Sequence, residues 1–112
     1  MNTTQLLPLG SIVYLKEGTE KVIIAARGQL VQAKELDDKP TYYDYMGNLY
    51  PSGFDVKNTY YFTRESIEKV IFTGYQDEEE TRYTEVLEEW QEDNSESFVL
   101  PITTTEKQEG VD

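Results

Sequence analysis

The sequence predicts an α+β fold: a small, strongly bent antiparallel β-sheet or barrel-like domain, a C-terminal amphipathic α-helix, and a disordered acidic tail. Three observations carry this expectation. Residues 6–74 are a series of short β-branched and aromatic runs broken by Gly and Pro turns. Tyr83, Val86, Leu87 and Trp90 then recur at i, i+3, i+4 and i+7, the period of one helical face. Beyond them the hydrophobic pattern dissolves into polar sequence. With 112 residues the chain supports one core. The expected domain is 1–92, β-rich over 6–74 and helical over 77–91, with 93–112 as the tail.

The elements follow in order. Pro8 keeps Leu7 extended, and residues 11–15 (Ser-Ile-Val-Tyr-Leu) read as a strand. A polar loop around Gly18 returns the chain as residues 21–27, so 11–27 form a hairpin. Apolar residues occupy both faces of this pair: Ile12 and Tyr14 against Val13 and Leu15, and Val22 and Ile24 against Ile23. That pattern predicts a curved or closed sheet covered on both sides. Leu30, Val31 and Ala33 extend the second strand, and residues 35–40 read as a turn. Strands are expected at 41–46, at 60–62 and at 68–73, with an edge segment and turn at 49–53. Thr63 is the expected cap of a single helical turn over 63–67. Asp77 precedes Glu80 by the three residues of a capping box, and the acids at 77–80 suit the positive end of a helix dipole. In the tail, residues 98–102 (Phe-Val-Leu-Pro-Ile) form one apolar island.

Composition excludes several function classes. The chain has neither cysteine nor histidine. It therefore lacks a disulfide framework, a thiolate zinc site, a cysteine nucleophile and the commonest general base. No cofactor and no metal site is expected. The acidic run 77–80 lacks the alternating oxygen ligands and central glycine of a calcium loop. Asp44, Asp55, Glu65 and Glu68 show no spacing that marks a catalytic pair, and no nucleophile motif or phosphate-binding glycine loop is present. No catalytic residue is assigned, and the chain is expected not to be an enzyme.

Charge is unevenly spread. Residues 1–74 hold 8 Lys and Arg against 9 Asp and Glu, whereas residues 75–112 hold 2 against 13. Clustered basic residues, which nucleic acids and anionic membranes require, are missing. No targeting segment or membrane span is read from the N-terminal residues. The expected setting is the cytoplasm, and the expected partner is a protein.

Candidate contact residues are aromatic. Six of the nine tyrosines lie within residues 42–61. Tyr42, Tyr43, Tyr45 and Tyr50 offer an amphipathic contact surface. The competing reading has alternate tyrosines filling a small core. Tyr83 and Trp90 belong to the helical stripe, which either packs on its own sheet or docks with a partner or second copy.

Several stretches, taken together in order, resemble a known family. They are residues 6–18 (Leu-Leu-Pro-Leu-Gly-Ser-Ile-Val-Tyr-Leu-Lys-Glu-Gly), Tyr43-Asp44-Tyr45-Met46-Gly47, Leu49-Tyr50-Pro51-Ser52-Gly53, and Val70-Ile71-Phe72-Thr73-Gly74-Tyr75 leading into Asp77-Glu78-Glu79-Glu80. The chain resembles domain of unknown function 4176, a family of small Firmicutes proteins, over roughly residues 6 to 90. Members are typically encoded in type VII secretion loci beside LXG-type toxins. The resemblance implies a non-enzymatic accessory, chaperone or targeting factor for such a toxin. Two alternatives stay open: an immunity protein that neutralises a cognate toxin, and a small carboxylate-based enzyme.

Overall fold

A computed structural model describes residues 6–16, 18–32, 39–101 and 105–108, the last stretch as backbone. Six strands form one antiparallel sheet: β1 (Ile12–Leu15), β2 (Lys21–Val31), β3 (Thr41–Leu49), β4 (Thr59–Phe62), β5 (Ile67–Phe72) and β6 (Thr105–Gln108). Their order across the sheet is β5-β1-β2-β3-β4-β6. The helix α1 (Glu78–Asp93) follows β5 in the chain. The α+β class is thus as expected, and the sheet is open. The predicted turn at 35–40 falls mostly outside the described residues, as does Ala33.

The central ladder is β2 on β3, running from Val22 opposite Leu49 to Val31 opposite Thr41. A register shift between Ile24 and Ala26 interrupts it. Such an irregularity bends a strand and increases its twist, and the β1–β5 ladder carries two more. These shifts curve the sheet around its core without closing it.

The core gathers on the concave side. Leu6, Val13, Leu15, Val22, Ile24, Tyr45 and Phe62 are buried together, with Leu87 of α1 packed against them. Tyr45 is held at both ends, its ring 5.3 Å from that of Phe62 and its hydroxyl accepting from the Leu7 N–H at 2.9 Å. A buried tyrosine needs such a partner. The hairpin pattern predicted cover on both faces. Here the structure differs: Val13, Leu15, Val22 and Ile24 are buried, while Ile12, Tyr14 and Ile23 on the alternate face are half-buried.

Two local expectations are modified by long-range contacts. Arg64–Ser66 does form a single 3₁₀ turn after Thr63, but the Thr63 side chain makes no capping bond. Asp44 of β3 accepts from the Arg64 N–H at 2.9 Å in its place. The Thr63 hydroxyl is left buried without a hydrogen-bond partner.

The tail expected to be disordered is, in its described part, built into the fold. Asn94 closes α1, its N–H and its side-chain amide both donating to the Trp90 carbonyl. A 3₁₀ turn at Ser95–Ser97 then aims Phe98 back at the sheet. Phe98 is buried, with its ring 4.9 Å from Tyr42 and 5.9 Å from Trp90. The strap is tied by Tyr42 N–H to the Val99 carbonyl and by Val99 N–H to the Pro40 carbonyl, both 2.9 Å. Further on, β6 pairs with β4 from Thr59 opposite Gln108 to Phe62 opposite Thr105. The apolar island seen in the sequence thus supplies one aromatic anchor, Phe98.

Candidate functional site

Helix α1 starts where predicted. Asp77 is its N-cap, the side chain accepting from the Glu80 N–H at 3.0 Å. In a full capping box Glu80 would reach back to the Asp77 backbone. Instead its carboxylate leaves the helix and grips Arg27 of β2 in a bidentate pair, at 2.6 and 2.8 Å. Arg27 is buried, also donates to the Leu7 carbonyl at 2.9 Å, and lies 5.3 Å from the centre of the Tyr83 ring. One turn from the other end, Glu88 meets Arg64 at 3.2 Å.

These contacts set the rotation of the helix. Its less exposed positions are Glu80, Thr84, Leu87, Glu88 and Gln91, a face at i, i+4, i+7, i+8 and i+11. That face is rotated by about 100°, one residue's turn, from the apolar stripe the sequence displays. Leu87 alone belongs to both. It fits because Gly28 has no side chain: a Cβ there would lie 2.7 Å from Leu87 Cδ1 and 3.1 Å from the Tyr42 hydroxyl. Gly28 also adopts φ +67°, which glycine accepts without strain.

The rest of the stripe is left outside. Tyr83 is 51% exposed, Val86 58% and Trp90 39%. With Leu30 of β2, itself exposed, they border an open groove of about 340 Å³ floored by Gly28 and Leu87. A second open groove of about 550 Å³, lined in part by Leu9, Ala26, Arg27 and Tyr75, adjoins it, and Tyr83 lines both. An apolar face this continuous beside charged residues is unusual on a surface that contacts only water.

The predicted contact residues therefore separate into three groups. Tyr83 and Trp90 stand together in the groove. Tyr42, Tyr43 and Tyr45 are buried, each no more than 3% exposed, and offer no contact surface. Successive β3 residues point to opposite faces, and both faces are covered there. Tyr42 stacks with Trp90 and meets Phe98 at a tilt, and Tyr43 packs on Tyr61. Tyr50 is exposed but sits beside Lys21, at the opposite end of β2 from Leu30. Sequence reasoning missed Leu30, whose only local signal is an apolar residue near the end of a strand.

Burial perturbs the acids and phenols beside the helix. It pushes the Tyr42 hydroxyl up to about 12, with the nearby Asp44 charge adding to the effect. Tyr45 is also raised by burial. Asp44 is held above the usual carboxylate range by burial, against the opposing pull of Arg64. Asp44 caps the Arg64 turn, and Asp55 caps the 3₁₀ turn Val56–Asn58 through the Lys57 N–H at 3.0 Å. Among the described residues no group of three or more acidic side chains is placed to hold a metal ion. Among the same residues no helix is long and apolar enough to cross a membrane.

No curated protein and no solved structure matches the chain. A family model does, over residues 6–83, which takes in every strand from β1 to β5 and the first turn of α1. The chain belongs to the family described as domain of unknown function DUF4176.

Proposed function

We propose that this chain acts by binding another protein, as a non-enzymatic accessory factor of the chaperone or targeting kind. The observation that carries this reading is the outward stripe of α1. Tyr83, Val86 and Trp90 lie at least 39% exposed along one helical line, while the helix docks through Leu87 and the ion pairs of Glu80 and Glu88. A helix evolved only to cover its own sheet would turn that line inward. The partner we propose, from the resemblance of the chain to its family, is an LXG-type toxin from a type VII secretion locus, met in the cytoplasm before export.

Co-expression with the toxin encoded beside it is the test. The full-length chain should co-purify with the toxin, and Val86→Asn should weaken the complex at least tenfold without unfolding the chain. Equal recovery of toxin by the wild type and Val86→Asn would discard this face as the binding site. If the chain instead restores growth to cells expressing the isolated toxin domain, it is an immunity protein rather than an accessory factor.

A further inference from the structure

We propose that the groove between α1 and β2 accepts a basic amphipathic helix of the partner; this rests on the protein-binding reading above and specifies the chemistry of what binds. The groove supplies an apolar stripe of limited length. Tyr83 to Trp90 spans seven residues, about 10 Å of helix axis, and Leu30 forms the facing wall. The rim supplies charge of one sign. Of the exposed residues of α1, Glu78, Glu79, Glu85, Glu89, Glu92 and Asp93 are acidic and Arg82 alone is basic. The two acids of α1 that meet cations within the fold, Glu80 and Glu88, are drawn towards Arg27 and Arg64. Among the described residues of β2, Arg27 is buried and paired with Glu80, and Gln29 is neutral.

An occupant must therefore present apolar side chains to the stripe and cations to the rim. A helix matches the stripe because ridges at i, i+3 and i+7 on α1 interleave with the grooves of a second helix. Lysine or arginine flanking its apolar face would meet Glu79, one turn before Tyr83 and lining the adjoining groove, and Glu89, three residues after Val86. An acidic or neutral helix would bury the same apolar area against uncompensated like charge or none, so the rim discriminates as well as attracts.

Trp90 is the single tryptophan of the chain and lies in the groove, so its emission reports occupancy directly. The probe is a Trp-free peptide of about five helical turns with leucines on one face and lysines flanking it, titrated into the full chain. Expected is a blue shift of Trp90 emission, a gain of helical circular dichroism, and an affinity that falls roughly tenfold as salt is raised past the screening range. Val86→Asn should weaken binding at least tenfold, and Glu79→Gln with Glu89→Gln severalfold with a flatter salt dependence.

Equal binding of a peptide with glutamates in place of the lysines, or of a scrambled lysine peptide, would overturn the proposal. So would binding without a gain in helicity. A blue shift on raising chain concentration alone, with a doubled sedimentation mass, would make a second copy the occupant instead. Failure here is separable from failure of the broader reading: a toxin complex sensitive to Val86→Asn beside a silent peptide titration refutes the helix while sparing the face.

Discussion

Glu80 occupies the third position of α1 and holds, across 53 residues of sequence, the buried guanidinium of Arg27 on β2. The pair is bidentate, with the Arg27 side chain 3% exposed and that of Glu80 16%. One carboxylate thereby gives up half of a capping box and fixes the rotation of a helix on a sheet. Which residues α1 presents outward depends on that choice.

Breaking the pair from one side should be costly. Glu80→Ala leaves the Arg27 charge buried beside only the Leu7 carbonyl and the Tyr83 ring, and about 3–5 kcal/mol of stability should be lost. Arg27→Met with Glu80→Leu removes both charges and should recover most of that loss. Urea unfolding of the four members of the cycle measures the coupling. A loss for Glu80→Ala below about 0.5 kcal/mol, the usual range of exposed pairs, would show that the pair does not hold the helix.

Gly28→Ala tests the fit of Leu87. The left-handed backbone there costs about 1–2 kcal/mol for any residue with a Cβ. Gly53→Ala carries the same backbone penalty at φ +88°, with nothing within 4 Å of its new Cβ. Any excess destabilisation at Gly28 over Gly53, read from chemical unfolding, is the cost of moving Leu87. The excess should be accompanied by a change in Trp90 emission, and equal losses at both sites would refute close packing at this point.

Phe98 should anchor the strap. Phe98→Ala removes a buried ring from between Tyr42 and Trp90 and should cost about 3 kcal/mol, with a red shift of Trp90 emission as water replaces the ring. Truncation after Asp93 should cost at least as much, since it also removes the Val99 backbone bonds. A truncated chain as stable as the full one would show that the residues after Asp93 add nothing to the fold.

Alkaline titration addresses Tyr42. An unfolded tyrosine ionises near pH 10, and the folded one at about 12. Between those values the folded chain holds more protons than the unfolded chain, so stability falls as pH rises through the window. Tyr42→Phe keeps the ring contacts and removes this proton, so its unfolding midpoint should fall less steeply from pH 10 to 12. Identical slopes would show that Tyr42 does not carry the effect. Tyrosinate absorbance should lose a component near pH 12 in the same variant.

Local structure was readable wherever neighbours in sequence decide it. The β-branched run at 21–27 is a strand because those side chains suit a pleated surface, and Asp77 starts a helix because its carboxylate satisfies a free N–H three residues on. The candidate site was less readable. Tyr42, Tyr43 and Tyr45 looked like a contact surface because tyrosine serves cores and interfaces equally well, and which it serves depends on what covers each face of β3. The strap was half readable: residues 98–102 stand out as an apolar island, but nothing local says that Phe98 turns back onto Tyr42 and Trp90.

By itself, the sequence determined the order of β1 to β5 and α1, the N-cap at Asp77, the division between a nearly neutral front and an acidic back, and membership in its family. Only the tertiary structure decided which side of α1 faces inward. Helical periodicity reports which residues share a face but carries no information about where that face points. The direction is set by Arg27 and Arg64, far away in sequence, which draw Glu80 and Glu88 towards the sheet, and by the space Gly28 leaves for Leu87.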